Sequence, residues 1–522
     1  MTGGESSAPD ATPEPGRFWR MPARLLLTGT AGLCGLVLAV WIPASVAMPL
    51  MRDQGIFAWV GRTILAGGAP YRDAWDVKGP VVHLLYALAF ILFGSYEGAI
   101  RVVHLLHLAL FAWAANRLLE GRPGRVAATV VASALAALAT GGDPWNTSQP
   151  DEWAGIWLVT ALALVWRPAW TGAAALAGAL LGAAVVLKAP YALFAPVLLW
   201  AASGHRARTA MAAGAVVPMA AVGAWLWASG AGPAAFDVLA RFDLEVARSA
   251  TPFAPLASQL GSPSLLAVLA LGLVGVAVVW TEDARRGVLL GAMLVVAFCV
   301  ALVQRKFYLY HFAPLSIVSA VGCGTALTVL AGHGPSRGAR LRLVAAGLGC
   351  VAVCVWTLPE PWRRDWNYLS WRTGQRDTRR YRDEFEMLDV SRRSTEDIAL
   401  RVRQATAPGE PMQLWGFDAL LYVLADRPSA SRLGFSYAVA AEPDPARRAD
   451  RERELVADIE RVRPRVLVVQ ETDDNQLMPG GSRAALRRLP ALAAAIARCY
   501  AQAYRNRDYT MYTRTTTCGG AE

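Results

Sequence analysis

The chain has 522 residues, 55% of them hydrophobic and 17% charged, with a formal net charge of +11 and a mean hydropathy of +0.33. That balance is too apolar for an ordinary soluble protein and points to several membrane spans. Arginine supplies almost all of the positive charge, and no CxxC or HExxH spacing is present, so neither a metal site nor a nucleic-acid partner is expected.

In chain order, residues 1–24 read as a disordered cytoplasmic N-terminus, opening on a Gly-, Ser- and Pro-rich stretch with acidic residues. It is not a signal peptide, because the span that follows lacks a small-residue cleavage site and ends at charges. Apolar segments then fill residues 25–358. A spanning helix needs about 20 apolar residues. The candidate spans are 25–50, 99–119, 126–141, 153–166, 170–187, 190–203, 209–229, 263–280, 288–303, 312–332 and 342–358, with 170–187 and 190–203 also readable as one broken unit.

The stretch 79–94, GPVVHLLYALAFILFG, would make a helix of only about 24 Å, and the positive-inside rule decides how to treat it. If it does not span and the N-terminus is inside, every arginine cluster falls inside. These are Arg17, Arg20 and Arg24; Arg117, Arg122 and Arg125; Arg167; Arg206 and Arg208; Arg285 and Arg286; and Arg337, Arg340 and Arg342. The loop 141–152, without Lys or Arg, then falls outside. The reading is a polytopic α-helical membrane protein of about eleven spans with 79–94 flat on the outer surface or dipping into it. An outer-face first loop covers 51–98, and 359–522 form a small extracytoplasmic α/β domain. In that loop, residues 54–67, QGIFAWVGRTILAG, have apolar residues near helical spacing and read as an interfacial amphipathic helix.

The outer loops carry a concentration of charge: Asp53, Arg72, Asp73, Asp76 and Lys78; Asp143, Asp151 and Glu152; Arg305, Lys306 and His311. The only three lysines, Lys78, Lys188 and Lys306, all fall at outer boundaries of spans. A lysine ammonium is a compact point charge suited to a phosphate, although interfacial snorkelling would place lysines there too. Plainer readings exist for the acids as well. Asp53 is placed to cap the helix after it, Asp73 and Asp76 to form turns, and Asp151 and Glu152 to complement a helix N-terminus. Arg101, His104 and His107 share one face of a span and point into the bundle.

The stretch RDQGIFAWVGRTILAGGAPYRDAWDVKGPVVHLLYALAFILFG resembles the first external loop of polytopic C-type glycosyltransferases, the group that includes protein O-mannosyltransferases and lipid A aminoarabinose transferases. The shared pattern is an acidic residue after the first span, an amphipathic helix, a PYRD-W segment and a D-x-K-P-P turn. Here that turn reads Asp76-Val77-Lys78-Gly79-Pro80, with Gly for the first Pro. KAPYALFAP and KFYLYHFAP resemble later loop motifs, though the family usually places His before Tyr and here Tyr310 precedes His311. LWGFDALLYVLADRPSASR, residues 414–432, resembles a C-terminal segment of bacterial members.

The resemblance implies an integral protein of a bacterial inner or plasma membrane. It would move a monosaccharide from a polyprenyl-phosphate donor to an acceptor hydroxyl on a glycan, lipid or protein at the extracytoplasmic face, with inversion and without a cofactor. Asp53 would be the general base. Lys78, Arg305, Lys306, His311 and Lys188 would hold the donor phosphate. Asp73, Asp76, Asp151 and Glu152 would contact sugar or acceptor. A transporter or flippase, or a non-catalytic binder of lipid-linked sugars, is the alternative.

After residue 359, Trp362, Trp366 and Trp371 alternate with arginines, as at a membrane interface or in a solvated linker. Helices near 395–406, 418–425, 446–462 and 484–497, strands near 411–415 and 465–470, and a hairpin near 499–514 follow. Of seven cysteines, Cys499 and Cys518 could pair in an extracytoplasmic domain.

Overall fold

The computed structural model describes residues 23–94, 97–141, 144–167, 170–249, 256, 263–332, 349, 359–387, 390–475 and 478–519. The span expected at 342–358, Asp143 and most of the N-terminal segment lie outside the described residues. The other expected spans coincide with helices: α1 (Ala23–Ala47), α4 (Gly98–Leu118), α5 (Arg125–Gly141), α6 (Pro150–Val165), α7 (Thr171–Leu187), α8 (Ala195–Ala201), α9 (His205–Ala228), α12 (Pro263–Glu282), α13 (Ala284–Gln304) and α14 (Ala313–Gly332). Six of the described helices are long and apolar enough to cross a bilayer. Between α7 and α8 the chain leaves α7 at an extended Lys188 and runs through a 3₁₀ turn, Ala189–Phe194.

Small residues set the closest helix contacts. Gly178 and Gly182 of α7 meet the backbone of α9 at Met211 and Ala215, and Gly214 of α9 meets Ala175. Close backbone approach of this kind is what packs helices where no hydrophobic drive exists. The arginine-bearing ends gather together: Arg122 pairs with Glu282 at 3.1 Å, and Arg167 donates to the Glu120 carbonyl at 2.7 Å. Along α13, Arg285 and Arg286 stand at one end and Gln304 at the other, about 30 Å away at 1.5 Å per residue.

Two helices of the first loop, α2 (Arg52–Leu65) and α3 (Pro80–Phe93), do not take the same position. The short α3 buries one side, including His83 and Tyr86, and exposes Leu88, Ile91 and Leu92 near its end. α2 is covered by protein and does not present a free apolar face: Arg52 and every residue from Gln54 to Gly61 are buried. The reason is that glycine sits on both sides. Gly61 lies against the α3 backbone, where a Cβ would come within 3.1 Å of the Ala87 nitrogen, and a Cβ on Gly55 would run into Leu420. The helix is thus sandwiched between α3 and the C-terminal part of the chain.

That C-terminal part holds a four-stranded sheet. Its order is β3 (Met412–Trp415), β4 (Val466–Gln470), β6 (Tyr509–Arg514), β5 (Tyr500–Arg505). β3 and β4 are parallel, and the remaining pairs are antiparallel. β4 is apolar through Val466–Val469 and buried throughout, as a central strand requires. Helices at Arg392–Ala405, Leu420–Ala425 and Pro445–Val462 match expectation. The helix expected at 484–497 is two, Gly481–Leu486 and Pro490–Cys499, because Pro490 starts a new one. A two-residue ladder, β1 (Glu386–Met387) with β2 (Val390–Ser391), was not foreseen. Cys499 and Cys518 form a disulfide with Cα atoms 4.9 Å apart.

The two parts are joined through α2. Trp59 stacks on Tyr422 at 5.4 Å and meets Phe435 edge-on at 6.3 Å. Arg62 donates to the Val423 carbonyl at 3.1 Å, and in the loop after α2 the backbone N–H of Trp75 donates to the Arg432 carbonyl at 2.9 Å. The segment 414–432 singled out in the sequence is therefore the surface on which α2 rests.

Candidate active site

Asp53 lies in the first turn of α2. Met51 is the N-cap, and the Gln54 side chain closes it by accepting the Met51 N–H at 3.0 Å. Capping therefore falls to Gln54, and the Asp53 carboxylate is directed elsewhere. Arg101, fully buried on α4, fixes this turn: its guanidinium donates to Gln54 Oε1 at 2.9 Å and to the carbonyls of Pro49 at 2.7 Å and Pro144 at 3.2 Å. The polar face noted on α4 has an account here. Arg101 staples the start of α2 to the 144–148 loop, His104 Nδ1 lies 2.9 Å from Glu152 Oε1, and His107 stacks on Trp153 at 5.3 Å.

Asp53 opens onto a cavity. Its floor is Asp53, Ile56 and Phe57 of α2 with Asp76, Val77 and Lys78 of the following turn. Lys306, Tyr308 and Tyr310 come from the loop after α13, and Arg52 and Trp145 close one side. Phe417, Phe435 and Tyr437 of the C-terminal part form the roof. Two of the three lysines thus share a cavity with Asp53, and the third stands beside it. The Tyr310 ring carries Lys78 Nζ at 5.9 Å and Lys188 Nζ at 5.6 Å from its centre, and its hydroxyl donates to Asp53 at 3.4 Å.

Each lysine has a different setting. Among the described residues, Lys78 has no hydrogen-bond or ion-pair partner. It follows a tight turn in which the Tyr71 hydroxyl donates to the Lys78 carbonyl at 2.6 Å. Gly79 lets this turn rest on the end of α7, since any Cβ there would meet the Val186 and Leu187 carbonyls; the glycine that departs from the D-x-K-P-P pattern is what seats Lys78 next to Lys188. Lys188 donates to Asp151 at 2.5 Å and to Gln304 at 2.7 Å, and Asp151 also accepts from Tyr191 at 2.7 Å. Burial pushes the Lys188 ammonium down to about 8 against the pull of Asp151. Lys306 donates to Asp243 at 3.0 Å. Burial works against its charge, but Tyr437, Asp243 and Tyr308 outweigh it and the ammonium is held above its ordinary value. Burial pushes the Tyr437 phenol up to about 12.

The other expected residues are distributed unevenly. Asp76 lines the cavity and binds His83 Nε2 at 2.8 Å, while accepting the Val77 N–H at 2.8 Å. Asp73 stands away from it: the carboxylate accepts the Ala69 N–H at 2.7 Å and pairs with Arg72. Burial opposes its charge, yet Arg72 and that N–H hold it below its usual range. Asp151 is the anchor of Lys188. Glu152 is fully buried behind the site, accepting the Ser148 N–H at 2.8 Å. Arg305 ends α13 with φ +54°, is exposed and does not line the cavity. His311 packs edge-on against Tyr310 at 4.7 Å, behind the lining. Among the described residues no group of three or more His, Cys, Asp or Glu side chains is placed to hold a metal.

No family model matches the chain, and no curated protein matches it in sequence. Solved structures do match in shape. ArnT from Cupriavidus metallidurans bound to undecaprenyl phosphate superposes with a TM-score of 0.56 at 16% identity, covering 95% of this chain and 100% of that one. The chain shares its fold with that protein. The apo form of the same ArnT gives 0.54 at 16% identity, over 95% and 99% of the two chains. An Archaeoglobus fulgidus oligosaccharyltransferase matches more loosely, at 0.48 and 12% identity over 93% and 74%.

Several lining residues were missed in the sequence: Arg52, Trp145, Tyr308, Tyr310, Phe417, Phe435 and Tyr437, with Asp243 and Gln304 behind the lysines. The aromatic run FYLY beside Lys306 was the one local signal. Arg52 opens the stretch that resembles the family's first loop, but the shared pattern was read from Asp53 onward.

Proposed function

We propose that the chain is a membrane glycosyltransferase that moves a hexose or pentose from a polyprenyl-phosphate donor to an acceptor hydroxyl. One observation carries the reading. The Asp53 carboxylate shares a single cavity with Lys78 and Lys306, in a fold shared with a protein crystallised with undecaprenyl phosphate. The arginine-rich loops face the cytosol under the positive-inside rule, which places the cavity and the C-terminal part outside, in a bacterial plasma membrane.

The acceptor oxygen forms a bond to the anomeric carbon while the bond from that carbon to the phosphate oxygen breaks. Asp53 takes the hydroxyl proton late, once positive charge has developed on the sugar, which suits a carboxylate of low basicity. The departing phosphate keeps the bonding electron pair and gains charge. Lys78 meets that charge directly, and Lys306 does so in exchange for Asp243. Lys188 supports Lys78 across the Tyr310 ring, and the Tyr310 hydroxyl holds Asp53. Direct displacement with one base inverts the anomeric centre. The scheme uses no cofactor.

The test supplies membranes containing the protein with radiolabelled polyprenyl-phosphate hexoses and pentoses, and follows release of polyprenyl phosphate. Transfer that vanishes in Asp53→Asn at unchanged expression supports the reading. Undiminished transfer by that variant, or no release by the wild type from any donor, overturns it.

A further inference from the structure

Arg52 is only 6% exposed, yet it forms no hydrogen bond or ion pair among the described residues. Its Nε and Nη1 are buried donors without a partner. Its guanidinium lies over the Phe417 ring at 4.4 Å and the Trp145 ring at 5.3 Å. Rings over a guanidinium plane hold its position and leave the N–H groups at the edge to bind something else. A charged donor buried without a hydrogen-bond partner from the protein is costly, and an oxyanion acceptor on a ligand would satisfy it. Tyr437, in the same cavity, also has a buried hydroxyl without a partner. Burial pushes the Asp418 and Asp473 carboxyls up and the Arg52 charge opposes that rise in both, but neither carboxylate accepts a hydrogen bond from it. Asp418 accepts from Tyr509 at 2.9 Å, and Asp473 accepts the Ser482 N–H at 2.6 Å.

We propose that Arg52 is an anion subsite on the acceptor side of Asp53, and that the acceptor is a glycan bearing a phosphate or carboxylate close to its reacting hydroxyl. The subsite rests on the glycosyl-transfer reading and adds to it a class of acceptor. With Lys78 and Lys306 at the leaving phosphate, a second cation beside the base serves the other substrate. The planar fork of Arg52 matches an oxyanion in a way a lysine would not.

The experiment uses the full chain in lipid nanodiscs, saturated with undecaprenyl phosphate and titrated calorimetrically with glucose, glucose 1-phosphate or glucuronate. The expected result is that one acidic sugar binds at least tenfold more tightly than glucose. Arg52→Gln should bring the two within twofold, Arg52→Lys should keep part of the preference, and undecaprenyl phosphate affinity should be unchanged in both. The phosphate and carboxylate arms show which oxyanion is preferred. Equal binding of all three sugars by the wild type, or a preference that survives Arg52→Gln, overturns the subsite. Should the Gln variant fail to fold, the wild type and Arg52→Lys still decide. Undecaprenyl phosphate binding that is absent, or indifferent to Lys78→Gln, would instead count against the donor reading. The sugar titrations on lipid-free protein then test Arg52 alone.

Discussion

Replacing Gly79 by alanine tests whether the two lysines are held by backbone contact. Gly79 has φ −60° and ψ 149°, which alanine adopts without strain, so any effect comes from the added methyl group. That Cβ would overlap the Val186 carbonyl oxygen and stand 2.6 Å from that of Leu187, roughly 0.8 Å inside ordinary contact at about 3.4 Å. Both are backbone atoms, and the end of α7 is pinned by the Lys188 N–H donating to Ala184 at 3.0 Å, so no side chain can rotate to relieve the overlap. The closer overlap, with Val186, sets the movement, and the turn carrying Lys78 must retreat by more than an ångström. Overpacking of this kind costs about 1–3 kcal/mol, and a 1 Å misplacement at a reacting centre costs on the order of 10²-fold in rate. Initial rates against donor concentration should show kcat/KM reduced by roughly 10- to 100-fold, with a lower melting temperature in detergent. Wild-type rates and melting in Gly79→Ala would refute the idea that this contact positions Lys78. Gly79→Pro should be at least as damaging despite matching the usual motif.

Lys78→Gln should raise KM for the donor and lower kcat together, since it removes a charge that matters most as phosphate leaves; a change in neither would remove Lys78 from the site. Lys188 binds its proton less tightly folded, at about 8, than its ordinary 10.5. The unfolded chain therefore holds more protons between those values, and stability should rise with pH from about 8 to 10.5; Lys188→Met should flatten that rise in denaturant melts. Trp59→Ala, which empties the contact with Tyr422 and Phe435, should cost about 3–5 kcal/mol. By contrast Asp426→Ala breaks an exposed pair with Arg62 and should cost about 0–1 kcal/mol. Cys518→Ser opens a link across 19 residues of sequence and should cost about 2–4 kcal/mol, read from melting of the two proteins without reductant.

Helix positions in the apolar region were legible because apolar length is a local property. Ala23–Ala47 and Ala284–Gln304 each announce themselves within about 20 residues. The convergence of Asp53, Lys78 and Lys306 was legible in part, through charge sidedness and the lysine positions. Tertiary partners were not. Arg52 reads as one more boundary cation because its two rings come from positions 145 and 417. The burial of α2 was hidden for a related reason: an amphipathic pattern shows one apolar face, while the glycines that admit Leu420 on another side look like turn formers. Asp73 and Arg305, plausible by proximity in sequence, do not line the cavity: Asp73 pairs with Arg72, and Arg305 is exposed at the end of α13.

Phe417, Phe435 and Tyr437 reach the chamber from a part of the chain that supplies none of its lysines. Heredity can therefore edit the ceiling while the floor stays fixed. Relatives that diverge beyond residue 359 would keep Asp53, Lys78 and Lys306 and reshape only the rings above them, including the Phe417 face on which Arg52 rests.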